Sequence, residues 1–151
     1  MTQPGNSQEH VQRVRALNEQ ARAERSAGRG NVALGLYREI AVLQHAAGAA
    51  LGEAHALRHM ADIHLDHGNL EAAREHYESA LGIYRSVGDG HSLDLANAIR
   101  GYAILLGEVD ENAASVERWE EARAIYRACG IEAGVEEADQ HLGNDPGSHH
   151  G

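Results

Sequence analysis

The chain has 151 residues, 42% hydrophobic and 24% charged, with 13 basic against 23 acidic side chains and a formal charge of −10. That is the size and make-up of one ordinary soluble domain, and its acidic balance argues against nucleic acid or an anionic membrane surface as partner, since both demand a basic face. A lone cysteine, Cys129, excludes an intramolecular disulfide framework, and no stretch approaches the run of about 18 apolar residues that crosses a membrane.

The opening MTQPGNSQEH lacks the basic start and apolar run of a secretory signal, so a cytosolic location is expected. All basic residues are Arg and none is Lys, which fits a GC-rich, bacterial-type genome better than it fits a site. The prolines, Pro4 and Pro146, lie near the termini, alanine is abundant and Phe is absent, so an all-α fold is expected.

In chain order, residues 1–7 read as a disordered N-terminus and residues 8–142 as a single domain. The first unit, about 14–53, turns at Ser26–Gly30. Its Gly28, Gly30 and Gly35 imitate part of a dinucleotide fingerprint, but they follow a helix instead of a strand and so mark a hairpin turn. The second unit, about 54–95, turns at Asp66–Asn69. Leu57, Met60, Ala61 and His64 share a face before that turn, and Leu70, Ala73, Tyr77, Ala80, Leu81 and Tyr84 share one after it. The third unit, about 96–130, turns at Gly107–Asn112.

The three units are copies of one pattern. Residues 54–83 align without a gap with residues 96–125, 42 positions further on, and residues 14–43 align with 54–83 at a spacing of 40. A fixed period of this length signals stacked supersecondary units, here helical hairpins. Ala21, Ala61 and Ala103 form one column, Ala33, Ala73 and Ser115 a second, and Tyr37, Tyr77 and Trp119 a third. Small residues at two points let helices approach, and a large aromatic at the third fills the gap between them. Gly48, Gly88 and Gly130 recur where a left-handed helix end is usual. Residues 131–142, with Val135, Ala138 and Leu142 on one side, suit a capping helix over the last unit, and 143–151 read as a flexible tail.

The spacing of Leu57, Met60, Ala61, Gly68, Ala73, Tyr77 and Ala80 resembles the tetratricopeptide repeat. The likeness covers about residues 14 to 130, with Gln20 in an apolar column and Asp110 in place of a turn glycine as departures. Its period exceeds the common 34 residues and is similar to the longer variant of kinesin light chains and bacterial signalling regulators. The resemblance implies a right-handed α-solenoid of three hairpins with a C-terminal capping helix, and a concave groove lined by the first helix of each hairpin.

Four polar residues on one helix carry the candidate chemistry. His55, His59, Asp62 and Asp66 fall within a strip about 60° wide. Two histidines one turn apart, with a carboxylate a turn further, could ligate a divalent metal, although the bland reading is a solvated polar face. The resemblance places this strip in the groove, beside Arg58 and together with Arg15, Asn18, Arg22 and Arg25 from the first unit and Asn97, Arg100 and Glu108 from the third. Arginine forks and amides there suit a carboxylate or acidic peptide. Pairing of those arginines with Asp62, Asp66 and Glu19 or Glu108 is the internal alternative. The clamp positions of chaperone-binding relatives read Asn18, Arg22, His59, Asn97 and Gly101 here, so chaperone tail recognition does not carry over.

No nucleophile stands in a catalytic context, and Cys129 reads as a bland buried or half-buried thiol. The function expected is a non-catalytic protein- or peptide-binding adaptor, regulatory or scaffolding, whose groove comprises Arg15, Asn18, Arg22, Arg25, His55, Arg58, Asp62, Asn97 and Arg100. An acidic protein or peptide is the expected partner, with no cofactor. The alternatives are a self-assembling homodimer or larger homo-oligomer, and a metal protein using His55, His59, Asp62 and Asp66.

Overall fold

A computed structural model describes residues 4–88 and 92–143, and within them the chain is helical from end to end. Seven helices follow one another among the described residues, α1 (Pro4–Ser26), α2 (Gly30–Ala46), α3 (Ala50–Asp66), α4 (Leu70–Val87), α5 (Leu93–Glu108), α6 (Asn112–Cys129) and α7 (Glu132–His141), with no strand. The helices pair as α1/α2, α3/α4 and α5/α6, each hairpin packs on the next, and α7 closes the stack against α6. The result is the expected α-solenoid of helical hairpins.

The hairpin turns sit where the repeat pattern puts them. Gly28, Gly68 and Asp110 occupy equivalent positions and all adopt left-handed backbone, with φ of 82°, 77° and 61°. The turn geometry is therefore retained where glycine is lost, although a Cβ at positive φ is crowded against its own carbonyl. Asp110→Gly is accordingly expected to raise stability by about 1 kcal/mol. A urea melt of the variant checks this, and a fall in midpoint would contradict it. Gly48, Gly88 and Gly130 also take left-handed backbone after the second helix of each pair.

Helix starts are weakly marked. Only Ser92, of the described N-caps, uses its side chain, accepting a 3.1 Å hydrogen bond from the Asp94 amide. With few caps to signal them, the first helices of the second and third hairpins begin at Ala50 and Leu93, ahead of the repeat starts expected at 54 and 96. Residues 4–7, within the segment expected to be disordered, lie in the helix α1. Pro4 opens that helix, where the N–H that proline lacks would have no intrahelical partner anyway. Residues 1–3 and the tail 144–151 lie outside the described residues. Cys129 is exposed, contrary to expectation, because it ends α6 just before the left-handed Gly130.

The three columns lie in the core, beside a further buried cluster that includes Leu81, Tyr84, Leu95, Ile99 and Tyr126. Tyr37 packs with Ala21 and Ala33, Tyr77 with Ala61 and Ala73, and Trp119 with Ala103, and the three aromatic residues are 1%, 0% and 2% exposed. Ser115, the polar member of its column, donates a 2.8 Å hydrogen bond to the Ala103 carbonyl, which settles its buried hydroxyl.

Each aromatic also reaches the next hairpin, or in the last case α7, at one equivalent position. Tyr37 stacks on His59 with ring centroids 4.8 Å apart, Tyr77 lies against Gly101, and Trp119 stacks on His141 of α7 at 4.0 Å. The departure at Gln20 has a simple cause. Its counterpart Met60 is buried against α2, whereas Gln20 is exposed on α1, which among the described residues packs on α2 alone.

Candidate functional site

α3 is in contact with α2, α4 and α5, which take up its apolar faces and leave a polar ridge. On that ridge Arg58 donates to Asp62 at 2.9 Å, a pairing that one helical turn of separation favours. The Tyr77 hydroxyl, reaching across from α4, donates to the other oxygen of Asp62. Asp62 thus has two internal partners, and burial together with this carboxylate raises the Tyr77 phenol far above its ordinary value.

His55 and His59 face one another, Nε2 to Nε2 at 3.2 Å, with His59 sandwiched against Tyr37. A hydrogen bond at that distance requires at least one of the two imidazoles to be neutral. Burial, then the charge of Arg58, pushes His59 down to about 2 and also lowers His55. The pair is therefore uncharged at neutral pH.

The neighbouring repeats complete the ridge. Arg25 of α1 donates to Asp66 of α3 at 2.8 Å and ties the first hairpin to the second. Asn18 spends its amide on the Val14 carbonyl at 3.1 Å, within its own helix. Arg15 and Arg22 are exposed, and the ion pairs among the described residues include neither. The charge of Arg22 acts on Tyr37, His55 and His59, which fixes it beside the ridge. In α5, Asn97 accepts a 2.7 Å hydrogen bond from Tyr126, and Arg100 grips Glu137 of α7 with both Nε and Nη2, the latter at 2.8 Å.

Two concavities open along this face. One of about 750 Å³ lies between α5 and α7, bounded by Arg58, Asn97, Arg100, Tyr126, Gly134 and Gln140 among others. The second, of about 510 Å³, lies over Arg25, Asp62, Asp66, Tyr77, Arg100 and Gly101. Arg100 borders both.

Residues 52–128, just over half of the chain, match the sequence model of the family described as tetratricopeptide repeat. The chain belongs to that family. No curated protein matches it. Tetratricopeptide repeats generally serve as protein interaction modules and are generally not catalysts.

Within this tetratricopeptide frame the predicted groove residues separate into two groups. Arg25, Arg58, Asp62, Asn97 and Arg100 border the concavities, whereas Asn18, Arg22 and His55 border neither of the two and Arg15 borders a shallow patch on α1 with Ser7, Gln8, Val11 and Gln12. Of the carboxylates named as internal alternatives, Glu108 is not the partner of Arg100. Arg100 lies on the side of α5 that meets α7, so Glu137 reaches it instead. The strip of His55, His59, Asp62 and Asp66 does not assemble as a ligand set, because Asp62 is held by Arg58 and Tyr77 while Asp66 is held by Arg25. Among the described residues no three His, Cys, Asp or Glu side chains come close enough to share a metal ion.

Sequence reasoning missed Tyr126, Glu137 and Gln140 as residues bordering the α5–α7 concavity. Tyr126 carried a signal, since it occupies the same repeat position as Tyr84, and Tyr84 had already been placed on an apolar face. Glu137 carried none, being one glutamate among several on the capping helix.

Proposed function

We propose that the chain is a non-catalytic adaptor that binds an acidic protein or peptide segment along its inner face, from α1 toward α5. The observation that carries this reading is the state of Arg15 and Arg22. In a chain of charge −10, with carboxylates pairing most of its arginines, these two on the α1 side of the ridge have no ion-pair partner among the described residues. An acidic segment supplies the missing partners, and the guanidinium fork favours two-point contact with a carboxylate. The already paired Arg25, Arg58 and Arg100 extend the same face and offer exchangeable partners.

Fluorescence anisotropy with acidic, neutral and basic peptides tests the proposal. The acidic peptide is expected to bind best, to weaken as salt rises, and to lose about tenfold in affinity in an Arg15→Ala/Arg22→Ala double variant, given about 0.5–1 kcal/mol for each exposed charged contact. Equal affinity for acidic and basic peptides overturns the proposal, and a concentration-dependent mass in sedimentation would then favour self-assembly.

A further inference from the structure

The geometry points to a carboxylate-binding subsite in the α5–α7 concavity, with Arg100 as its anchor and Glu137 of the chain's own capping helix as its resident occupant. This rests on the proposed acidic partner and goes beyond it, because it makes the affinity of the groove depend on a competitor built into the fold.

Four observations converge on the subsite. Arg100 presents its fork edge-on to Glu137, Nε toward one carboxylate oxygen and Nη2 to the other at 2.8 Å, the two-point arrangement by which arginine recognises any carboxylate. Beside this pair the concavity is open, about 750 Å³ in volume, so a second carboxylate can approach the same fork. Arg58, the counterpart of Arg100 one repeat earlier, borders the same concavity and adds a second guanidinium to its wall. The Tyr126 hydroxyl and the Asn97 amide, joined at 2.7 Å, line the wall between them as further polar groups.

Exchange does not require α7 to leave. The helix is anchored by Ala138, buried with Trp119, and by Gly134, whose missing side chain lets the Tyr126 ring lie flush against the backbone. Both Arg100 and Glu137 are partly exposed, so a rotation of the Glu137 side chain frees the fork while the backbone stays docked. The resident group is a glutamate side chain on a helix, so the matching occupant is a glutamate or aspartate side chain within an acidic segment. Glu136 lies on the same wall and opposes entry of an anion, so the site favours ligands whose carboxylate reaches Arg100 without crossing Glu136.

The test uses the whole chain and a capped Asp/Glu-rich nonapeptide, acetylated and amidated so that only side-chain carboxylates are present. Glu137→Gln is expected to tighten binding about tenfold over wild type. Arg100→Gln is expected to weaken it by a similar factor, and Glu137→Gln/Arg100→Gln to bind no better than Arg100→Gln alone. Glu132→Gln, an exposed change of equal charge on the same helix, is expected to do little. Amide hydrogen exchange of α7 should stay protected when the peptide is bound.

If wild type binds the peptide but Glu137→Gln binds equally or less well, or Glu132→Gln gains as much, the competitor is disproved and the acidic-groove reading stands. Absence of binding in every variant removes both. A neutral peptide with a free C-terminus that gains as much from Glu137→Gln would assign the subsite to a terminal carboxylate and overturn the side-chain assignment.

Discussion

Tyr77→Ala is expected to lower unfolding free energy by about 3–5 kcal/mol, the range for deleting a fully buried large aromatic that leaves a cavity. Tyr77 is 0% exposed, fills the space between Ala61 and Ala73, touches Leu105 of the next hairpin, and lies against Gly101. Its removal therefore damages the interior of the second hairpin and the joint to the third together. Tyr77→Phe, which keeps the ring and loses only the hydroxyl donated to Asp62, is expected to cost about 1–2 kcal/mol.

Gly101→Ala should be destabilising from the other side, by about 1–3 kcal/mol, since the added methyl would run into the Tyr77 phenol. Val42→Ala, at a site 64% exposed, serves as the reference and should stay within about 0.5 kcal/mol of wild type. Urea melts of the four variants decide the matter. A Tyr77→Ala midpoint equal to that of Val42→Ala would refute the packing role assigned to the aromatic column.

Stability is expected to fall as pH drops from 7 toward 5, before most carboxylates titrate. Burial and neighbouring positive charge lower His59 to about 2, and lower His55 and His64 as well. In the unfolded chain these histidines take up protons near the ordinary value of about 6.5. Below that pH the unfolded state binds more protons than the folded state, so protonation favours unfolding. The contribution is fully present above about 6.5 and is lost as pH falls from there toward the lowered folded value. His59 alone gives a slope of about 1.4 kcal/mol per pH unit in that window. Measured between pH 7.5 and 5, the slope should be steep in wild type and flatter in His59→Gln. An unchanged slope in the variant would place the acid sensitivity elsewhere.

The helices, the hairpin turns and the aromatic columns were legible because each is a local or periodic property. Tyr37, Tyr77 and Trp119 recur in register with small residues, and a register of this kind has one economical packing solution. Partners were less legible. Arg58 and Asp62 share one helix and could be paired from spacing alone, whereas Arg100 and Glu137 meet only because α7 folds back beside α5, a relation fixed by the Gly130 turn and by the seat of Ala138 on Trp119. Helix starts were faint for another reason. Most N-caps here, such as Arg29, Ala49 and Glu111, make no side-chain bond, so nothing in the sequence marked them.

The cross-hairpin contacts of the three aromatic residues also give the array an order that similar repeats would not otherwise possess. Tyr37 needs a flat ring to lie on and finds His59, Tyr77 needs empty space and finds Gly101, and Trp119 needs a ring and finds His141. Exchanging the second and third hairpins would set Tyr37 over a void and drive Tyr77 into an imidazole. The neighbours are thus keyed to one another like differently cut teeth. A longer array built by duplicating a hairpin would have to recut these residues at every new junction.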